Sequence, residues 1–164
     1  MKKILTLTIL ILSSISMSAQ AFSGKYDSKF QVGANIQKNG SGIHFTYDYG
    51  VGENMSIGLT TTYLLGVTKD LEEDFGDRFD LKARFNANLG SIMNVDENFD
   101  FYPGLDIGFK NFGGHLGIRY FFSQGFGLYS EFGFPIAKYK TANLTPAEKL
   151  NNQAYFNIGA SFNI

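Results

Sequence analysis

From Lys29 to Ile164, apolar and polar side chains alternate with a period of two, the spacing of a β-strand whose two faces meet different surroundings. Eight segments carry the pattern. Phe30, Val32, Ala34 and Ile36 oppose Gln31, Gly33, Asn35 and Gln37 in the first. Ile43, Phe45, Tyr47 and Tyr49 oppose His44, Thr46 and Asp48 in the second. The third runs from Met55 to Val67, with Ser56, Gly58, Thr60 and Thr62 on its polar side. In the fourth, Phe79, Leu81, Ala83, Phe85, Ala87 and Leu89 alternate with Arg78, Asp80, Lys82, Arg84, Asn86 and Asn88. The fifth, Phe99 to Phe109, turns Asp100, Tyr102 and Asp106 to the polar side, and the sixth, His115 to Phe122, turns His115 and Arg119 there. The seventh, Phe126 to Ile136, contributes Tyr129 and Glu131, and the last runs from Ala154 to Ile164.

Turn chemistry separates these segments. Asn39-Gly40-Ser41-Gly42 is a hairpin signal, and Gly52-Glu53-Asn54 turns the chain again. Pro103 has no N–H for a ladder and predicts a bulge or local break in the fifth strand. Residues 111–114 read as the turn into the sixth. The second, fourth and sixth connections, at 50–54, 91–98 and 123–125, are short. The third and seventh, at 68–77 and 138–153, are longer, which is the asymmetry of a membrane barrel; the first and fifth break the contrast. The segment lengths match the ~9–11 residues of a tilted membrane strand better than the ~5–6 of a typical sandwich strand.

The two faces then have to be assigned. Large aromatic and aliphatic groups cover the apolar face of all eight strands; as a closed interior they would amount to about thirty bulky side chains, more than a narrow eight-stranded lumen holds. The opposite face is Gly, Ser, Asn and Thr with scattered charges, which suits a tight lumen. The apolar face is therefore expected outside, against lipid. Closure completes the picture, because every backbone polar group needs an internal partner in lipid.

Composition agrees. The chain has 164 residues, enough for one domain, with 17 Phe and 9 Tyr against a mean hydropathy of only −0.08. That near-neutral mean is the average of two opposed surfaces. Absence of cysteine excludes disulfides and thiolate chemistry, and a net charge of −1 excludes a basic nucleic-acid-binding surface. Residues 1–21 read as an export signal: Lys2 and Lys3, a nine-residue run from Ile4 to Leu12, then Ala19-Gln20-Ala21 before Phe22. Cleavage before Gln20 is the close alternative. The run is too short to span a bilayer as a helix. Its removal leaves 12 basic against 15 acidic residues, a net charge of −3, and a barrel domain over 22–164.

The signal, the eight alternating segments and the aromatic final strand resemble small eight-stranded outer-membrane β-barrel proteins of Gram-negative bacteria. More narrowly, Phe30-Gln31-Val32-Gly33-Ala34-Asn35, Asp48-Tyr49-Gly50-Val51-Gly52-Glu53-Asn54 and Leu128-Tyr129-Ser130-Glu131 are similar to an uncharacterised barrel family of the Bacteroidota. The resemblance covers Phe22 to Ile164. It implies an all-β, antiparallel, up-and-down transmembrane barrel in the outer membrane, surrounded by lipid and inserted by the barrel-assembly machinery. It implies no chemistry. Such barrels favour a final Phe or Trp as an assembly signal, whereas this chain ends Phe162-Asn163-Ile164.

The candidate site is a lumen charge cluster of Asp80, Lys82, Arg84, Asp106, Arg119 and Glu131. A turn at 91–98 sets Arg84 or Lys82 across from Asp106, a turn at 111–114 sets Asp106 near Arg119, and Glu131 lies diagonally beyond Arg119. Buried charges must be paired, so Arg84–Asp106–Arg119–Glu131 reads as a self-neutralising plug, with a gate or polar conduit as the other reading. His44, with Asp48 on the same face, and His115 read as structural, because no serine accompanies them as a nucleophile. The acid-rich loop 69–77 lacks the ligand spacing of a calcium loop and reads as a solvated hairpin tip. Thr145-Pro146-Ala147-Glu148 is a capping box and predicts a short helix through Asn151. No catalytic residue, cofactor, metal site or nucleic-acid partner is expected. The expected role is structural or surface interaction. Passive transport or small-ligand binding through the lumen is the alternative, and a soluble lipocalin-like barrel, its apolar face inward, is a third.

Overall fold

A computed structural model describes residues 20–68 and 73–164. The predicted export signal, apart from Gln20 and Ala21, and residues 69–72 of the acidic loop lie outside the described residues. All eight segments are strands: β1 (Ser28–Gln37), β2 (Gly40–Gly52), β3 (Met55–Val67), β4 (Phe79–Ala87), β5 (Phe99–Gly108), β6 (Asn111–Phe121), β7 (Phe126–Lys138) and β8 (Tyr155–Asn163). Each pairs antiparallel with the next, and β1 closes on β8 from Lys29 opposite Asn163 to Gln37 opposite Tyr155. Two four-residue helices, α1 (Phe75–Arg78) and α2 (Gly90–Met93), sit in the connections before β4 and β5.

The alternation places the surfaces as the pattern requires. Leu59 and Ile107 on the outer face are each 56% exposed, while Gln31, His44, Asp48, Arg84, Tyr102 and Glu131 point inward and are buried. A lipocalin-like interior would need the opposite orientation. One end of the barrel, where the N-terminal segment enters, is here termed the lower end. Its rim carries an aromatic belt running Tyr120–Phe122–Phe126–Phe162–Phe30, with successive ring centroids 5.3, 6.4, 5.7 and 6.5 Å apart. At the upper end Phe75 of α1 stacks on Phe79 at 5.4 Å and lies 5.7 Å from Tyr63.

Inside, glycine makes room for tyrosine. Tyr102 lies over Gly117 on the neighbouring strand, where an added Cβ would come within 2.1 Å of the ring; Tyr155 covers Gly133 with the same 2.1 Å approach.

Four local expectations are corrected. The segment 111–114 is strand, and β5 turns into β6 through Phe109 and Lys110. Gly113-Gly114 has the composition of a turn, but Gly113 serves instead as a spacer: a Cβ on it would lie 2.7 Å from Asp106 Oδ1. The hairpin between β1 and β2 turns at Lys38–Asn39, with Asn39 at φ 63°, so Gly40 to Gly42 are already strand. Pro103 makes no bulge; β5 keeps its register with β6 through Pro103 opposite Leu116. The register shifts lie at Ser41/Gly42, Gly50/Gly52 and Phe112/Gly113. What does end beside Pro103 is the β4–β5 ladder, which pairs only from Lys82 opposite Gly108 to Asn86 opposite Gly104. Finally, the capping box forms without a helix. Thr145 N–H donates to Glu148 Oε2 at 2.8 Å and Glu148 N–H to Thr145 Oγ1 at 3.2 Å, but the chain from 146 to 151 runs through turns, and Asn151 adopts φ 59°.

Candidate functional site

The inward face of the strands builds a stack of ion pairs along the barrel axis. At the lower end Arg119 of β6 donates from Nη2 to Asp100 Oδ2 of β5 and to Asn88 Oδ1, both at 2.7 Å. The strand register makes the pair, since Arg119 stands directly opposite Asp100. Asp100 also accepts the N–H of Gly90 at 2.9 Å, which ties α2 to the lumen floor. Lys29 pairs with Asp27 beside this cluster.

In the middle, Arg84 of β4 reaches across the lumen to Glu131 of β7, donating from Nη2 to Oε2 at 2.7 Å. Its Nε lies 3.4 Å from Asp48 Oδ1 of β2. One guanidinium thus joins three strands of which no two are neighbours, and it is buried. The Tyr102 ring lies between two arginines, its centroid 5.8 Å from the guanidinium carbon of Arg84 and 4.7 Å from that of Arg119, a cation–π arrangement. Higher still, Lys82 Nζ lies 3.0 Å from Asp106 Oδ1 and 3.7 Å from Asp80 Oδ2, with the Tyr155 ring 5.3 Å away.

All six charged residues expected in the lumen are buried there. They do not form one cluster. Arg84 and Asp106 oppose each other in register as expected, yet Arg84 turns to Glu131 and Asp48, leaving Asp106 to Lys82. Arg119 meets Asp100 because the tight turn at 109–110 puts Asp106 opposite Gly113. Asp48 belongs to Arg84 and not to His44. His44 instead lies 3.0 Å through Nδ1 from Thr62 Oγ1 and 3.1 Å through Nε2 from Asn157 Nδ2. His115 has Asp106 Oδ2 3.1 Å from Nδ1, while its Nε2 faces Arg84 Nη2 at 2.7 Å and Asn86 Oδ1 at 2.8 Å. Neither group on the far side of His115 is a nucleophile.

Apolar residues close both mouths. Leu64 of β3 and Leu150 of the β7–β8 loop are fully buried and converge on Gly40 at the upper end. The loop is fastened by polar bonds: Asn151 N–H donates to Gln37 Oε1 at 2.8 Å, and Asn151 Nδ2 donates to the carbonyls of Asp77 and Arg78 at 3.0 and 3.1 Å. Lys110 Nζ donates to Asp77 O at 3.0 Å, and burial pulls its pKa below the ordinary lysine value. Phe121 and Ala21 pack together at the lower end. Between the caps, a lumen cavity bounded by Asn35, His44, Thr60, Lys82, Asn151 and Tyr155 measures about 10 Å³, the lower limit for a single water. Leu64 and Phe121 were visible in the sequence only as apolar intrusions at the ends of otherwise polar faces. Leu150 gave no signal.

The described acids of the 69–77 loop are engaged by the chain itself. Glu73 accepts from Arg78 Nη2, which holds its carboxyl below the ordinary glutamate pKa. Asp74 and Asp77 cap α1 reciprocally.

This is a closed, eight-stranded, antiparallel barrel with a polar, ion-paired filling and an apolar exterior. It is similar to a structure described as "De novo design of transmembrane beta-barrels", with a TM-score of 0.62 at 11% identity, covering 87% of this chain and 98% of that one. The chain belongs to the family of unknown function DUF6646, whose match extends over residues 12–164. No match occurs among curated proteins.

Proposed function

We propose that the protein is a non-enzymatic barrel of the outer membrane of a Gram-negative bacterium, of the Bacteroidota type, with a structural or surface-interaction role. It is exported by its N-terminal signal, inserted by the barrel-assembly machinery and surrounded by outer-membrane lipid. The observation that carries this reading is the exterior: all eight strands turn large apolar side chains outward, in a molecule whose charges lie paired within. A surface of that extent is far beyond the few hundred Å² of contiguous apolar patch that a soluble monomer exposes. The aromatic belt at the lower rim and the Tyr63–Phe75–Phe79 group at the upper end stand where a membrane barrel carries its girdles.

The lumen favours a plug over a conduit. Its charges are paired, its described cavity admits about one water, and both mouths are covered. Reconstitution tests both parts. Folded protein is expected to require detergent for extraction, to migrate differently before and after boiling, and to give no steady conductance in planar bilayers. Recovery in the soluble fraction would overturn membrane insertion, and an open, steady current would overturn the plug.

A further inference from the structure

We infer that the mature chain begins at Gln20, not Phe22, and that Gln20–Tyr26 is a built-in stopper seated in the lower mouth. The inference rests on the export proposed above. Signal cleavage hydrolyses one peptide bond, leaving a carboxylate on the leader and an α-ammonium on the first mature residue. By side-chain size alone, the site before Phe22 is favoured, with Ala19 and Ala21 at −3 and −1. The fold is built for a longer chain.

Ala21 is 1% exposed, packs on Phe121, and donates its N–H to Glu97 O at 2.8 Å. Phe22 is 7% exposed, with its ring 5.9 Å from the Arg119 guanidinium carbon. The backbone of the following residues is tied down, although the Tyr26 side chain is 68% exposed. Ser23 N–H donates to Asp27 Oδ2 at 2.7 Å and Tyr26 N–H to Gly50 O at 2.8 Å. Gly24, at φ 90°, brings its carbonyl so near Gly50 that a Cβ there would lie 2.0 Å away.

A cut before Phe22 would delete the Ala21 bond and its packing. It would also place a new positive charge on a residue only 7% exposed, where desolvation opposes it. A cut before Ala21 would leave Gln20, a long polar side chain, at −1, where a small residue is wanted. A cut before Gln20 has Ala19 at −1 and keeps Ala21. It sets the ammonium on an exposed residue at the edge of a cavity of about 270 Å³ lined by Gln20, Phe22, Asp96, Glu97 and Asp100, where water can solvate the charge. Cleavage precedes folding, so the fit records which mature chain the barrel accommodates.

The test is to express the chain with its own leader in a Gram-negative host, purify it from membranes and identify its N-terminal peptide by tandem mass spectrometry. A start at Gln20 is expected. A start at Phe22 overturns the inference while leaving export intact, and an uncleaved leader overturns both. Chains beginning at Gln20 and at Phe22, released from a removable tag and refolded, test the stopper separately. The shorter chain is expected to lose its folded, heat-modifiable band about 4 °C lower, the shift that a lost packing and hydrogen-bond contact produces in a domain of this size. Equal midpoints would overturn the seating.

Discussion

Arg84 is the residue on which the lumen depends most. It pairs with Glu131 at 2.7 Å and lies near Asp48 at 3.4 Å, so removing its charge leaves two buried carboxylates without their counter-ion. Arg84→Met is expected to lower folding stability by about 3–5 kcal/mol, the penalty of breaking a buried pair from one side. Urea titration in lipid vesicles measures it, and adding Glu131→Gln should recover part of the loss. Recovery of nothing would mean that Arg84 acts by packing. Gly117 offers a second test. Gly117→Ala drives a methyl to within 2.1 Å of the Tyr102 ring, and overpacking of this kind costs about 1–3 kcal/mol. Combining it with Tyr102→Leu should be less damaging than the sum of the two changes, because the pair is in contact. The alternation in β5 and β6 showed that Tyr102 and Gly117 both face inward; that one covers the other follows only from their register.

Among the elements, the β4–β5 seam differs from the rest. Its ladder covers only Lys82–Asn86, whereas β1 and β8 pair from Lys29 to Gln37. Fewer shared hydrogen bonds make a locally weaker unit, so amides of β4 are expected to exchange with deuterium faster than those of β2. Equal protection around the barrel would show that the short ladder has no dynamic consequence. The β7–β8 loop carries a pH dependence. Lys140 donates to Glu148 Oε1 at 2.6 Å, which holds the Glu148 carboxyl below its ordinary pKa. A depressed acid stabilises the fold above its unfolded pKa, and that contribution disappears as pH falls through the folded value. Amide protection in 139–154, taken relative to the intrinsic exchange rate at each pH, should therefore fall on acidification into that range, and Glu148→Gln should abolish that pH dependence.

At the scale of the molecule, the exterior makes the sharpest prediction. Leu59 is 56% exposed near the middle of β3. If its surroundings are hydrocarbon, Leu59→Arg costs about 2–4 kcal/mol. On a water-facing surface the same change stays within about 0.5 kcal/mol. Measuring the variant's unfolding free energy in vesicles separates the two.

The eight strands, their inward and outward faces and the burial of six lumen charges were all legible in the chain. A two-residue period is a local property: it needs only neighbouring side chains and the geometry of one strand. The turns were harder. Gly113-Gly114 has the composition of a turn, yet both glycines lie within β6 and Gly113 leaves space for Asp106. Moving that turn to 109–110 reassigned Arg119 from Asp106 to Asp100. The capping box at Thr145 formed its two bonds, but the next residues follow Asn151, whose hydrogen bonds to Gln37, Asp77 and Arg78 hold the loop across the upper mouth.

By itself, then, the sequence determined an antiparallel β-sheet with one apolar and one polar face, because solvent preference acts residue by residue. Only the tertiary structure decided which charges meet. Arg84 and Glu131 lie on β4 and β7, 47 residues apart and never adjacent in the sheet. They come together because the barrel closes, and closure brings opposite walls of a narrow lumen within the reach of a single arginine.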